Sequence, residues 1–259
     1  MSEPVELTVA DGIARVTLTG FGGNAIAMAL AVGLRHAVRQ AVGLCEEGRV
    51  RVVVISAVGS AFCVGGDLGE FAAATDRSAH VGTLAAVMHE TIGLLDACPV
   101  PVVSVVQGVV AGGGLGIALA ADIVVMAHEA SMVMAYTAVG LTPDCGVSWK
   151  LSRLLSGSRA LDFALTNRRL TGSEAEAWGL VSRSVPRADL AAVALAMVKR
   201  LSAGPAEAFV RTKRLLRSAD QHSLASHLEQ EAACIACMAG TAEGVEGVDA
   251  FLDKRKPMF

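Results

Sequence analysis

The sequence predicts an α/β fold with a largely parallel sheet, followed by a helical C-terminal region. Short apolar strands alternate with helical segments through the first two thirds of the chain. Two of these strands end in glycine clusters that lead into helices, and beyond about residue 186 only helical patterns remain. With 259 residues, 53% of them apolar, the chain can form a large core. We expect a core over residues 1–185 and a helical region of the same domain over 186–259.

The N-terminal elements follow from hydrophobic periodicity. Residues 5–10 and 13–19 alternate around Asp11-Gly12, which predicts a β-hairpin. Residues 28–47 repeat apolar side chains at helical spacing, and the β-branched run at 50–57 predicts a strand buried on both faces.

The later elements repeat an order of strand, glycine loop and helix. A loop at 59–68 enters a short helix, and residues 72–80, rich in Ala and Thr, predict a mobile surface loop. The same patterns predict further strands at 100–106 and 123–127, and helices at 81–97, from the glycine cluster through Ala120, and at 187–202, 205–217 and 222–239.

Composition excludes several classes of function. A net charge of −3 and 4% aromatic residues give no footprint for nucleic acid. The uncharged window at 97–121 contains Pro99, Pro101 and glycines, so we interpret it as buried strand and helix rather than a membrane span. Residues 1–6 lack a cationic segment before an apolar run, and a cytoplasmic location is expected. The histidines and cysteines show no metal-ligand spacing, so no metal is predicted.

The two glycine clusters, Gly65-Gly66 and Gly112-Gly113-Gly114, carry the chemistry that the sequence suggests. Glycine lets the backbone approach a ligand closely, and the first amides of a helix have no partner inside it. Two such loops can direct one N–H each at a shared oxygen and so form an oxyanion hole. Close packing of a strand against a helix also uses glycine and remains the alternative.

A family pattern is present around the two glycine clusters and further along the chain, in the segments 60–68, 100–114, 121–123, 175–181 and 251–256. These segments resemble the crotonase, or enoyl-CoA hydratase/isomerase, superfamily. The resemblance implies stacked ββα units followed by a C-terminal helical oligomerisation region, an acyl-CoA thioester as substrate, and a homotrimer or hexamer. No separate cofactor is implied, because CoA is part of the substrate.

By this resemblance, Gly66 and Gly113 are the backbone donors to the thioester oxygen. For the basic tail that includes Lys256, a solvated charge cluster is the alternative to a contact with the CoA phosphates. The residues expected to bind the CoA ester are Gly23, Asn24, Ala25, Val64, Gly66, Leu68 and Lys256.

The expected reaction depends on which carboxylates are present. The two glutamates of the family's hydratases match Gly116 and Tyr136 here, so the acid/base pair for adding water is missing. Asp144 matches an acid in the branch similar to 1,2-epoxyphenylacetyl-CoA isomerase and Δ3,Δ2-enoyl-CoA isomerases. The resemblance implies that Asp144 is a catalytic base that becomes the acid during isomerisation of an enoyl-CoA.

Several alternatives stay open from the sequence. Asp144 could cap a helix or form a turn, and Asp67 is expected to cap the helix that begins at Leu68. A direct catalytic role of His89 is the less favoured interpretation of that residue. For the whole protein, the alternatives are an enoyl-CoA hydratase or lyase and a non-catalytic acyl-CoA-binding homologue.

Overall fold

Two sheets form the core of the computed structural model, which describes residues 3–259. The larger sheet has the spatial order β1 (Val5–Ala10), β2 (Ile13–Leu18), β3 (Val52–Ala57), β5 (Val102–Val106), β7 (Ile123–Ala127) and β10 (Arg183–Val185). The smaller sheet has the order β4 (Ala61–Cys63), β6 (Val109–Ala111), β8 (Ser131–Val133) and β9 (Leu170–Thr171). The pairs β1/β2 and β8/β9 are antiparallel, and all other pairs are parallel.

From β3 to β8 the strands alternate between the two sheets along the chain. β3, β5 and β7 lie in the larger sheet, and each is followed at once by a short strand of the smaller sheet. Helices follow the first two of these strand pairs directly. This arrangement confirms the expected ββα units.

Helices pack against the larger sheet and form the last quarter of the chain. Beyond β10, the described residues form no further strand, as the sequence predicts. None of the helices within 3–259 is both long and apolar enough to cross a membrane. The helices are α1 (Phe21–Asn24), α2 (Met28–Glu46), α3 (Leu68–Ala73), α4 (Arg77–Ala97), α5 (Gly113–Leu119), α6 (Val147–Leu154), α7 (Gly157–Thr166), α8 (Gly172–Trp178), α9 (Arg187–Ser202), α10 (Ala206–Ser218), α11 (Leu224–Ala239) and α12 (Ala242–Leu252).

Two features differ from the sequence-based expectation. β4 and β6 lie inside the segments that were expected to be glycine loops, because a three-residue strand is too short for periodicity to reveal. The predicted loop at 72–80 is also shorter, since α4 begins at Arg77. The side chain of Asp76 accepts a hydrogen bond from the Ala79 amide at 2.9 Å and so caps α4.

A charged cluster joins α10 to the larger sheet. Asp122 precedes β7, and its carboxylate lies 2.6 Å from Lys213 Nζ and 2.7 Å from Arg217 Nη2. The amide of Val102 donates to the same carboxylate at 2.8 Å. Both carboxylate oxygens are therefore paired, and the cluster links the C-terminal helices to β5 and β7.

Candidate active site

The two glycine loops follow β4 and β6, which are neighbouring strands of the smaller sheet. Gly65, with φ +92°, approaches the other loop so closely that an added Cβ would lie 2.9 Å from the carbonyl oxygen of Ala111. Gly112 has φ +50° and ψ −127°, a backbone conformation that favours glycine. The loops therefore need glycine at these positions for their backbones to pack directly together.

The amides of Gly66 and Gly113 are left without partners by this packing. Gly66 lies next to Ile26, whose amide donates to the Gly65 oxygen and whose carbonyl accepts from the Asp67 amide. Gly113 is the first residue of α5, so its amide has no acceptor inside the helix. Within residues 3–259, neither amide has a hydrogen-bond acceptor. Two free N–H groups on adjoining loops are the donors that an oxyanion hole requires.

Gly66 is held by the helix that follows it. The Asp67 side chain accepts hydrogen bonds from the amides of Gly69 and Glu70 at 2.9 and 3.0 Å and caps α3. This confirms the capping role expected for Asp67. The cap holds the chain after Gly66, while the bond from the Ile26 amide to the Gly65 oxygen fixes the Gly65–Gly66 peptide plane and so the direction of the Gly66 N–H.

A cavity of about 350 Å³ opens beside these two glycines. Its walls are mostly apolar and come from α3, α4, the two glycine loops and the segment 135–145. Val64, Leu68 and Asp144 also line it, so the structure brings five predicted site residues to one cavity. Asp144 supplies the one carboxylate among the described lining residues.

The Asp144 side chain does not cap a helix. α6 begins at Val147 with Gly146 as its cap, and no side chain accepts a hydrogen bond from its first turn. The Asp144 carbonyl instead accepts from the Val147 amide at 3.1 Å and from the Tyr136 hydroxyl at 3.2 Å. The backbone of this loop is fixed through main-chain contacts, which leaves the carboxylate available to the cavity.

Gly116 and Tyr136, which match the hydratase glutamates, offer no substitute carboxylate. A Cβ at Gly116 would overlap the backbone oxygen and the Cβ of Cys145, so no side chain fits there. Tyr136 lines the cavity, but burial raises the pKa of its phenol, which stays protonated at neutral pH. Its hydroxyl donates to the Asp144 carbonyl, so the hydroxyl has a partner within the protein.

Cys145 packs between Gly116 and the Asp144 side chain, which the sequence did not reveal. It is buried, has φ +53°, and its Sγ lies 3.6 Å from Asp144 Oδ2. Burial, and then the charge of Asp144, raises the pKa of this thiol, so it remains neutral. Its proximity to Gly116 depends on the fold of the 140–146 loop, which no local sequence pattern encodes.

His89 is the second residue that sequence reasoning underrated. It lies on α4 directly after Met88, a buried residue of the cavity wall, and its Nε2 contacts Asp144 Oδ1. Its neighbour Glu90 pairs instead with Arg35 and Arg39 of α2. Adjacent residues on a helix point in different directions, so the sequence pair His-Glu gave no hint of the contact with Asp144.

The residues expected to bind CoA differ in whether they line the cavity. Val64 and Leu68 line the cavity, and Gly23 contacts Val64, whose amide donates to the Gly23 carbonyl at 3.2 Å. Asn24 is buried, and its Nδ2 lies 3.1–3.2 Å from the carbonyl oxygens of Val58, Ala61 and Phe62. Its side chain thus anchors a loop in which Gly22, Gly23 and Asn24 all have positive φ.

Ala25 and Lys256 lie outside the cavity wall. Ala25 ends the turn α1, and Lys256 lies in the exposed C-terminal tail. The tail is fastened by Arg255 and the Met258 amide, both of which bind Glu246. The contacts of these two residues with CoA stay predictions.

A two-sheet core of ββα units with paired free amides beside an apolar cavity defines a protein class suited to binding acyl thioesters. A family model described as enoyl-CoA hydratase/isomerase matches residues 8–259. The chain therefore belongs to the enoyl-CoA hydratase/isomerase family, also called the crotonase superfamily.

Some individual relatives are named as hydratases and another as an isomerase. The chain is 33% identical to a protein of Rhodobacter capsulatus named "probable enoyl-CoA hydratase", over 98% of this chain and 97% of that protein. It is 32% identical to 1,2-epoxyphenylacetyl-CoA isomerase of Escherichia coli, over 83% and 82% of the two chains. A crystal structure from Mycobacterium abscessus, described as a candidate enoyl-CoA hydratase/isomerase, superposes with a TM-score of 0.93 at 35% identity, covering 98% of both chains.

Proposed function

We propose that this protein is an enoyl-CoA isomerase that moves a proton between C2 and C4 of the acyl chain. Asp144 takes the proton from one carbon and returns it to the other, and the amides of Gly66 and Gly113 bind the oxygen of the intermediate dienolate. The observation that carries this proposal is the arrangement of one carboxylate and two unpartnered amides around a single apolar cavity. One carboxylate suffices, because the acid and the base act in sequence.

The electrostatics of the cavity favour such a proton transfer. Removing a proton next to a thioester places negative charge on the carbonyl oxygen, and fixed N–H donors stabilise this charge. Each such donor contributes about 3–4 kcal/mol to lowering the barrier in known cases. The mostly apolar wall lowers the effective dielectric constant around these donors, which strengthens the interactions.

Hydration is the alternative that relatives' names favour, since several of them are called hydratases. A hydratase of this family needs a carboxylate pair to position and activate water. The overlap at Gly116 and the protonated phenol of Tyr136 both argue against that pair here. Isomerisation is therefore the reaction that the side chains of the cavity support.

The remaining features of the proposal concern the assembly and the ligand. CoA enters as part of the substrate, so no further cofactor is required, and Gly23, Asn24, Ala25 and Lys256 belong to its expected binding region. Residues 1–185 and 186–259 form one domain in this proposal, and the location is cytoplasmic. Exposed apolar side chains on the C-terminal helices support a homotrimer or hexamer: Leu216, Leu224, Ile235 and Phe251.

The test is the substitution Asp144→Asn, assayed with a 3-enoyl-CoA. We expect wild type to produce the conjugated 2-enoyl thioester, seen as a gain of ultraviolet absorbance. The variant should be slower by at least about 100-fold while it still binds the CoA ester. Asp162→Asn, at a half-exposed carboxylate on α7, is the matched control and should retain full activity.

Three results would contradict the isomerase proposal. Near-wild-type activity of Asp144→Asn would remove Asp144 from the mechanism. Loss of enoyl-thioester absorbance when wild type meets a 2-enoyl-CoA in water would indicate a hydratase. Affinity for CoA esters with neither reaction would indicate a binding protein.

A further inference from the structure

We propose that His89 is a positioning residue that binds Oδ1 of Asp144 and leaves Oδ2 as the oxygen that carries the proton. This inference rests on the proposed isomerase function and assigns different roles to the two oxygens of its central carboxylate. It begins from the contact between His89 Nε2 and Asp144 Oδ1 at the rim of the cavity.

The Asp144 carboxylate needs an external partner because its own loop provides little to orient it. Gly140, Cys145 and Gly146 have φ of +72°, +53° and +71°, so the loop turns sharply around Asp144. The Asp144 side chain makes no helix cap, and the Tyr136 hydroxyl binds the main chain instead of the carboxylate. Among the described residues, only His89 and the Cys145 thiol make hydrogen-bonding contacts with its oxygens.

The two oxygens face different surroundings. Oδ1 contacts the imidazole of His89, a side chain that is 57% exposed. Oδ2 lies 3.6 Å from Cys145 Sγ, and Sγ in turn lies 3.3 Å from where a Cβ on Gly113 would be. Cys145 thus connects Oδ2 with Gly113, and the proposed function places the reacting carbons of the thioester on that side.

The neighbouring titratable groups do not compete with Asp144 for its proton or for His89. The Cys145 thiol is buried and stays protonated, so it acts as a weak donor to Oδ2 and not as a competing base. Glu90, next to His89 on α4, is bound by Arg35 and Arg39 and does not contact Asp144. The imidazole N–H thus pairs with Oδ1 without competition from its neighbour.

The fixed carboxylate determines the path of the proton. In the forward reaction the C2–H bond breaks, its electron pair enters the dienolate, and Oδ2 gains the proton. The proton then moves from Oδ2 to C4 as the new C–H bond forms and the 2-enoyl thioester results. Because His89 fixes the carboxylate, Oδ2 stays over the dienolate, and the proton reaches C4 before it exchanges with water.

The experiment follows both rate and isotope transfer. The substrate is a 3-enoyl-CoA with deuterium at C2, and the product is analysed for deuterium at C4. His89→Leu removes the hydrogen-bond donor, His89→Gln retains one, and His36→Leu removes an exposed histidine of α2 as the matched control. Thermal midpoints and KM are measured for all four proteins.

We expect His89→Leu to lower kcat by about tenfold or more with KM nearly unchanged, because the reacting oxygen is misplaced. Its transfer of deuterium to C4 should fall well below the wild-type fraction. His89→Gln should restore most of both quantities, and His36→Leu should match wild type. A structural role alone would lower the thermal midpoint without changing the deuterium fraction.

The outcomes separate this inference from the function on which it rests. If Asp144→Asn is inactive while His89→Leu matches wild type in kcat and deuterium transfer, the role of His89 is disproved and the isomerase proposal stands. A lower kcat with unchanged deuterium transfer also disproves it, since the pairing of Oδ1 would not decide the proton's path. An active Asp144→Asn overturns the isomerase proposal itself.

Discussion

Two regions of the molecule are each built around an aspartate: the cavity beside the glycine loops, and the charged cluster that joins α10 to the larger sheet, called the junction below. The carboxylates of these two aspartates have different partners. At the junction, Asp122 is bound by Lys213, Arg217 and the Val102 amide, and its side chain is 19% exposed. In the cavity, Asp144 is 35% exposed, contacts one imidazole and one thiol, and has no lysine or arginine partner within the described residues.

This difference separates a structural carboxylate from a reactive one. A carboxylate whose oxygens are all bound by cations and amides has no oxygen free to approach a substrate. One with an oxygen left near the substrate can accept and release a proton. The amides of Gly66 and Gly113 are likewise unpaired, so they are available to bind a ligand. Changes in the cavity should therefore affect turnover, and changes at the junction should affect stability.

Among the changes that compare the cavity with the junction, Gly113→Pro should have the largest effect on turnover. Proline is tolerated at the first position of a helix but lacks the N–H, so the variant removes one oxyanion donor. We expect kcat to fall by roughly 100- to 1000-fold, equivalent to about 3–4 kcal/mol. The assay is isomerisation of a 3-enoyl-CoA by protein whose folding is checked by circular dichroism.

Gly113→Ala is the matched control, because it adds a side chain and keeps the N–H. Its Cβ would lie 2.9 Å from Ile26 Cδ1, the flexible end of a side chain, and 3.3 Å from Cys145 Sγ. We expect a smaller loss than with proline. Equal activity of the two variants would exclude the Gly113 amide as an oxyanion donor.

The junction should respond to Asp122→Asn through stability. The amide can still accept the bond from Val102, but Lys213 and Arg217 then face no negative charge from residue 122. Lys213 is 10% exposed, so its unpaired charge is costly, and we expect the free energy of unfolding to fall by about 3 kcal/mol. Denaturant unfolding measures this, and kcat of the folded fraction should remain unchanged.

Asp96→Asn provides the control for this prediction. Asp96 also pairs with Arg217, but its side chain is 45% exposed, and such pairs contribute no more than about 1 kcal/mol. If Asp122→Asn lowered kcat of the folded fraction as well as the free energy of unfolding, the separation between a structural and a reactive carboxylate would not hold.

The sequence predicts the two regions to different extents. The ββα order and the positions of Gly66, Gly113 and Asp144 could be proposed because glycines and a matching motif occupy fixed places in the chain. The contact of His89 with Asp144 joins residues 55 positions apart, and no local period encodes it. The exclusion of a side chain at Gly116 likewise depends on Cys145, which only the folded loop brings close.

The C-terminal tail should show the smallest effect, through Glu246. A hydrogen bond from Arg255, together with one from the Met258 amide, lowers the pKa of Glu246 from 4.5 to about 2. The folded-state pKa lies below the ordinary value, so this contact stabilises the tail above about pH 4.5 and is lost as the pH falls towards 2. The methyl signal of Met258 in an NMR titration should report the release.

Glu246→Gln should release the tail already at neutral pH. Carboxypeptidase should then remove C-terminal residues faster, and Asp253→Asn, at an exposed carboxylate, is the control. This variant also tests the predicted contact of Lys256 with CoA, because Lys256 lies between Arg255 and Met258. If the release weakens binding of the CoA ester while kcat is preserved, the tail contributes to CoA binding and not to chemistry. If the affinity is unchanged, Lys256 is a solvated surface charge, and the CoA phosphates are bound by other basic groups.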